Sequence, residues 1–385
     1  MSSIYIHWPF CVSKCNYCDF NSIACKGSNI DFENWLKLYK KVLLKFKNEF
    51  YKDEDITSVY FGGGTPSLLP VFFVEDILNE IQKNFNLKDE AEITLEANPK
   101  TIDKEKAVGL KKIGINRLSI GVQSIIEDDL KMLGRIHSAK DAINCIYEMR
   151  NIFENISIDM IYNRPGQTLK DWSNELNEVL KLPIDHISLY ELIVEDNTPI
   201  KKMIDSGILP IPSSSADFFE KTMEITEKNN FERYEVSNFA LKNNFDKNQK
   251  PKYGRHNLSY WNYEDYYGIG PGSHSRVSVD SKKIAIAQDP NNESWLKWAD
   301  SNLDFDCEIL SKDDEYKELL IMGLRANCGV DLKKIDDSIK NKHDLENKLK
   351  NLYENSYIIK DGGKIFLMYD GIFRLNMIVK YLAGE

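Results

Sequence analysis

Apolar residues in the first half of the chain come in short runs, separated by longer stretches with a different rhythm. The runs fall at 4–7, 58–61, 92–95, 117–120, 157–160 and 186–189, each of a length that suits a buried strand. Between them the spacing turns helical. Over 31–51, Trp35, Tyr39, Val42, Phe46 and Phe50 recur every three or four positions and draw one apolar stripe. The same spacing predicts helices over 71–84, 103–113, 139–153 and 168–181. Six strand-plus-helix units imply a parallel sheet, because parallel neighbours need a crossover and a helix supplies it. Six units are too few for a closed eight-stranded barrel, so an open partial barrel is expected.

The rhythm changes after about 240. Residues 242–252 are rich in Asn and Lys and read as a flexible loop. An aromatic cluster follows (Tyr253, Tyr260, Trp261, Tyr263, Tyr266, Tyr267), then a Gly-Pro turn region over 268–272. Residues 289–292 read as a linker, 316–326 and 345–353 as helices, and 358–368 as a hairpin turning at Asp361-Gly362-Gly363. The expected division is a partial barrel over 1–240, a linker region over 241–290 and a small α+β domain over 291–385.

Composition narrows the function. With 42% hydrophobic and 29% charged residues, the 385-residue chain is globular and long enough for one large and one small domain. No uncharged apolar run approaches the ~18 residues of a membrane span. Met1-Ser2-Ser3-Ile4 lacks the basic segment and apolar core of a secretory signal, so a cytoplasmic location is expected. A net charge of −10 argues against nucleic acid as the main ligand, since phosphate binding needs a cationic face. Only nine of the 50 basic residues are Arg, so an Arg in a loop marks a place for a planar guanidinium.

Seven Cys are present, and three of them (Cys11, Cys15, Cys18) fall within eight residues, in the loop after the first strand. Functional groups collect at the carboxyl ends of strands in parallel α/β folds. In a long chain of this kind, such spacing suits a reduced metal site better than a disulfide framework. Three readings stay open: an iron–sulfur cluster, a structural zinc and unrelated thiols. Structural zinc wants four closed ligands, and no matching Cys or His pair follows. A four-iron cluster held by three Cys leaves one iron open for chemistry. Cys25, Cys145, Cys307 and Cys328 are isolated and read as free thiols.

Phe61-Gly62-Gly63-Gly64-Thr65-Pro66 follows the second strand, where glycines let backbone N–H groups approach a ligand. It is no nucleotide P-loop, because no Gly-Lys-Ser/Thr follows. Polar residues recur at later strand ends: Glu96, Gln123 and Asp159, with Arg135 in Leu133-Gly134-Arg135-Ile136-His137. Cys-x-x-x-Cys-x-x-Cys with Tyr17 before the last Cys resembles the signature of radical S-adenosylmethionine (SAM) proteins. The resemblance implies a [4Fe–4S] cluster on Cys11, Cys15 and Cys18, with SAM on the open iron. It also implies an α/β fold, an incomplete (β/α)6 TIM-like barrel of the radical SAM type with a small C-terminal α+β domain. Within the superfamily the chain resembles the coproporphyrinogen dehydrogenase branch, which implies that Tyr5, Tyr17, Gly63, Gly64, Thr65, Glu96, Gln123, Arg135 and Asp159 line the SAM site.

Two members of that branch are distinguished by sequence. The oxygen-independent coproporphyrinogen III dehydrogenases resemble Cys-x-x-x-Cys-x-x-Cys-x-Cys and carry an extension before it. Here Phe20 stands at the last position and the motif lies close to the first residue, so the chain resembles the heme chaperones of HemW type instead. His256-Asn257-Leu258-Ser259-Tyr260-Trp261 resembles their His-Asn-x-x-Tyr-Trp motif, which implies heme binding with His256 as a cofactor residue. Arg255 next to it is expected to pair with a heme propionate. The implied function is heme delivery to acceptor hemoproteins, membrane respiratory proteins among them. The alternative is oxidative decarboxylation of coproporphyrinogen III. Two departures stand out: Asn163-Arg164 where the family usually shows Gly-Leu, and a longer loop over 242–252.

Overall fold

A computed structural model describes residues 1–25, 30–242, 251–301, 304–336 and 342–384. The expected loop over 242–252 lies, for residues 243–250, outside the described residues. Six parallel strands run in chain order: β1 (Ser2–Trp8), β2 (Asp55–Gly63), β3 (Asn86–Ala97), β4 (Arg117–Gln123), β5 (Ile156–Tyr162) and β6 (His186–Glu191). The helices between them are α1 (Phe32–Glu49), α2 (Val71–Asn84), α3 (Lys104–Lys112), α4 (Glu127–Met132), α5 (Ala139–Arg150) and α6 (Leu169–Val179). Capping chemistry starts several of them. Ser138 and Thr168 form reciprocal boxes with Asp141 and Asp171, and Asp103 accepts from the Lys106 N–H.

The strands alternate in a way their apolar runs conceal. Ile4, Ile6, Trp8, Val59, Phe61, Leu95, Leu118, Ile120, Ile158, Met160, Ile187 and Leu189 belong to the main core, with the α1 stripe against them. The opposite phase is polar: Ser58 and Tyr60, Glu92 and Glu96, Arg117 and Ser119, Ser157 and Asp159, His186 and Ser188. Side chains alternate along a strand, so one face packs on helices and the other lines an interior with hydrogen-bonding groups. The fold is therefore a partial barrel with a polar inner wall.

Further strands extend the sheet beyond the six units. Asp265–Ile269 pairs parallel with β1 and is a seventh parallel strand where sequence showed only an aromatic cluster and a turn. Antiparallel strands His274–Val279, Lys282–Ala287 and Cys307–Ile309 continue that edge, and Asn238–Leu241 with Phe231–Arg233 form the other. Much of the region expected as a linker over 241–290 is thus sheet. Trp295 and Ala299 pack into the main core, whereas the second core begins at Tyr316 with Leu320, Leu324, Ile358, Ile365 and Ile378. We therefore propose a division after Ile309 instead of at 290. The expected C-terminal hairpin is present as Ile358–Asp361 and Lys364–Leu367.

Asn163-Arg164 has a structural role. Asn163 takes φ 55°, a left-handed conformation that Asn tolerates. Its side-chain amide donates to Glu191 Oε1 at 2.8 Å and to the Ser213 carbonyl at 3.1 Å. Arg164, 1% exposed, donates to the Ile161 carbonyl at 2.8 Å and pairs with Glu175 and with Asp129, the latter at 2.8 Å.

Candidate functional site

The carboxyl ends of the strands gather most of the sequence-predicted site residues. Cys11 closes a short strand, Phe10–Cys11, that pairs with Ile23–Ala24 and cinches the intervening loop. The loop is pinned on both sides. The Asn16 N–H donates to the Leu133 carbonyl at 2.9 Å, and the Asn16 carbonyl accepts from the Ile200 N–H at 2.9 Å. The Thr65 N–H donates to the Phe10 carbonyl at 2.9 Å and the Gly64 N–H to that of Trp8 at 2.6 Å, so the glycine turn is tied to the Cys loop. A Cβ on Gly64 would lie 2.7 Å from the Phe10 carbonyl oxygen, and Gly63 has φ +110°. Only glycine fits this turn.

All seven Cys are free thiols. Burial pushes the Cys11 thiol up, against hydrogen bonds from Thr65 and Ser22, and burial likewise raises Cys18. Cys15 accepts from Arg135 Nη1 at 3.1 Å, and the Tyr17 hydroxyl adjoins both groups. Arg135 Nη2 donates to the Gly121 carbonyl at 2.7 Å, while its Nε is buried with no partner. Among the described residues, no three His, Cys, Asp or Glu side chains close on a single-ion site. A four-iron cube spreads its thiolates further apart than one ion does. Three thiols on a pinned loop and a guanidinium that compensates thiolate charge fit such a cube. A small cavity lined by Cys15, Thr65, Asn98 and Arg135 adjoins them.

Deeper in the barrel, the Tyr60 hydroxyl donates to Glu96 Oε1 at 2.8 Å and the Gly63 N–H to Glu96 Oε2 at 3.2 Å. Burial, with Asp159 beside it, pushes the Glu96 carboxyl up to about 7. Asp159 itself is raised by burial and accepts from Ser119 Oγ at 3.3 Å. Tyr5, whose hydroxyl lies 3.1 Å from His7 Nδ1, flanks Tyr60. Gln123 takes φ 70° at an irregularity in the β4–β5 pairing, which folds its side chain over Gly121. Near these strand ends Glu96 thus accepts from the Gly63 N–H, while the Arg135 guanidinium is held at Cys15 and the Gly121 carbonyl.

His256 is the exception. It lies in the helix Arg255–Trp261 at the amino-terminal mouth of the barrel, 2% exposed. Its Nδ1 is 3.0 Å from Ser58 Oγ and its Nε2 2.8 Å from the Tyr260 hydroxyl. Burial lowers its pKa to about 3, so the ring is neutral. Both ring nitrogens are thus engaged by hydroxyl groups in this arrangement. Arg255, expected on a propionate, donates from Nη1 to the Glu90 carbonyl at 2.7 Å.

A model of the radical SAM superfamily matches residues 5–179. Over 88% of this chain and 85% of its own, the Lactococcus lactis heme chaperone HemW is 34% identical. The Bacillus subtilis heme chaperone HemW is 31% identical over all of both chains. The chain belongs to the HemW family of radical SAM proteins. The mitochondrial radical S-adenosyl methionine domain-containing protein 1 of Danio rerio is 32% identical over all of this chain and 87% of its own. In fold, this HemW-family chain superposes on the Escherichia coli coproporphyrinogen III oxidase (HemN), a radical SAM enzyme, with TM-score 0.82 at 20% identity. That superposition covers 99% of this chain and 90% of the other. Among the described residues, no helix is long and apolar enough to cross a membrane.

The family implies a [4Fe–4S] cluster and SAM, and the residues present fit both. Cys11, Cys15 and Cys18 would hold such a cluster, whose chemistry would be one-electron transfer to SAM. Sequence reasoning missed Tyr60, Arg117 and His186, which face the same interior. The polar phase inside runs such as Ser58-Val59-Tyr60 and Arg117-Leu118-Ser119 was the signal available. A cavity of about 870 Å³ beside the helix Ser215–Lys228, lined in part by Arg233 and Tyr369, contains none of the expected residues.

The raised Glu96 carboxyl has a measurable consequence. We propose Glu96 as the partner of the SAM ammonium; that role requires the carboxylate, so proton loss is expected to accompany SAM binding below about pH 7. Affinity is expected to rise about tenfold per pH unit up to pH ~7 and then level off. Because the folded protein holds this proton more tightly than the unfolded chain, stability of the SAM-free protein falls as pH rises from about 4.5 to about 7. Glu96→Gln is expected to bind SAM weakly at every pH yet melt higher than the parent at pH 8. Calorimetric titration and melting of both proteins across this range check it; a flat profile for the parent would remove Glu96 as the ammonium's partner.

Proposed function

We propose that this chain is a heme carrier on a radical SAM scaffold, which binds heme and transfers it to acceptor hemoproteins. Its [4Fe–4S] cluster is held by Cys11, Cys15 and Cys18. SAM lies in the cleft formed by Tyr5, Tyr17, Gly63, Gly64, Thr65, Glu96, Gln123, Arg135 and Asp159. The observation that carries this reading is the likeness to proteins named heme chaperone HemW, in one case over the whole of both chains. Arg135 and Tyr17 orient Cys15, the glycine turn offers its N–H groups, and the pinned loop keeps the thiols at the cleft. A cytoplasmic protein that hands heme to membrane respiratory proteins is the setting we propose.

A second reading, oxygen-independent coproporphyrinogen III dehydrogenase, is favoured by the fold shared with the E. coli oxidase. Phe20, 64% exposed where such enzymes resemble a further Cys, supports the carrier. One anaerobically reconstituted sample separates the two. The carrier is expected to bind heme in a stoichiometric complex with a Soret band, to pass it to an apo-hemoprotein, and to leave coproporphyrinogen III unconverted with SAM and reductant. Conversion over many turnovers would overturn the carrier reading.

A further inference from the structure

We propose that His256 is a positioning residue for the SAM cleft, holding Tyr60 and through it the Glu96 carboxylate from below, and is not an iron ligand. This rests on the SAM-binding part of the function proposed above. The His256 ring stacks on Tyr60 with centroids 4.9 Å apart and planes at 24°, while Tyr5 stacks on Tyr60 at 6.2 Å and 29°. Tyr60 is thus packed in a three-ring cluster, His256 and Tyr5 themselves lying 6.1 Å apart, and its hydroxyl reaches Glu96 at 2.8 Å. Glu96 in turn accepts from the Gly63 N–H. One line of contact runs from His256 to the glycine turn.

The His256 ring is itself fixed. Ser58 and Tyr260 engage both nitrogens, so rotation would break two hydrogen bonds, one buried and one partly buried. The helix carrying it is latched to three strands. The N–H groups of Arg255 and His256 donate to the Glu92 carboxylate on β3 at 3.2 and 3.3 Å. Ser259 Oγ lies 2.9 Å from Ser3 Oγ on β1, and Ser58 is on β2. For iron to take Nε2, the Tyr260 bond would have to break and the floor under Tyr60 would open. The neutral ring also suits its place, because a cation would stand near the buried Arg117 guanidinium.

The full chain, reconstituted anaerobically, is compared as parent, His256→Ala, His256→Gln, Tyr60→Phe and the His256→Ala/Tyr60→Phe double variant. SAM affinity is read by equilibrium dialysis, heme stoichiometry by Soret titration, and fold by circular dichroism and melting. His256→Ala and Tyr60→Phe are each expected to weaken SAM binding about tenfold, the worth of one ring stack or hydrogen bond. The double variant is expected to be only about twofold weaker than either single one, because the two residues act in series. Heme stoichiometry is expected to stay unchanged. His256→Gln is expected to recover most of the SAM affinity, since an amide keeps a flat polar head but does not replace imidazole at heme iron. Should His256→Ala fail to fold, Tyr60→Phe and His256→Gln decide the matter.

Loss of heme from a folded His256→Ala protein would overturn the inference. So would unchanged SAM affinity in both single variants. A parent protein that binds SAM but no heme defeats the heme-carrier reading and leaves this inference standing on its SAM results. A parent that binds no SAM defeats both.

Discussion

Replacing Cys15 with Ala is expected to strip the reconstituted protein of its cluster. The parent should take up about four irons per chain and absorb near ~400 nm, and the variant should show neither. The proposed ligand set uses all three thiols of the loop; the next thiol in sequence, Cys25, follows the short strand Ile23–Ala24 and donates its N–H to the Cys11 carbonyl at 2.8 Å. The fold should survive, because Cys15 is half-buried and its described side-chain partners are Arg135 and Tyr17. Unchanged far-ultraviolet dichroism together with lost iron is the expected pair of results. Full iron content and a persisting band would refute the ligand assignment. Loading is also expected to favour alkaline buffer, since burial raises the Cys11 and Cys18 thiols and the cluster takes thiolates.

Arg164→Leu restores the residue the family usually shows, yet it is expected to destabilise this chain by about 3–5 kcal/mol. The reason is Glu175. It is 3% exposed, accepts from Ser124 Oγ at 2.6 Å and from the Ile125 N–H at 2.9 Å, and loses its countercharge when the guanidinium goes. Removing one partner of a buried pair leaves the other charged and dry, which costs more than the pair contributes. The double change Arg164→Leu with Glu175→Gln is expected to recover part of the loss, because the amide is neutral and its oxygen still accepts from Ser124 or Ile125. Urea denaturation of the set measures both numbers; a single-variant cost below ~1 kcal/mol would show that Asp129 and Glu175 do not depend on Arg164.

The two departures from the family pattern differ in how far sequence could take them. Asn163-Arg164 looked like a change at a loop. In the fold it is a left-handed Asn followed by an arginine that joins the end of β5 to α6, and neither partner is near it in an apolar-run pattern. Glu175 lies on the helical stripe of Trp172, Leu176 and Val179, but the spacing does not name the arginine that neutralises it. The helical stripe over 31–51, by contrast, was legible residue by residue: Trp35, Tyr39, Val42, Phe46 and Phe50 are all buried. Spacing of three and four repeats within a helix regardless of what packs on it. The seventh parallel strand, Asp265–Ile269, was missed because its Gly and Tyr residues read as a turn until β1 is there to pair with.

Sequence by itself determined the strand-and-helix alternation, the three-thiol loop and the glycine turn, since each depends on residues close together in the chain. Tertiary structure alone decided what those motifs face. It brought Arg135 across to Cys15 over 120 residues and set Tyr60 on Glu96. It also carried His256 198 residues back to Ser58, into the barrel floor. Burial and hydrogen-bond partners come from distant strands, and a histidine's role follows from whether its nitrogens are already taken.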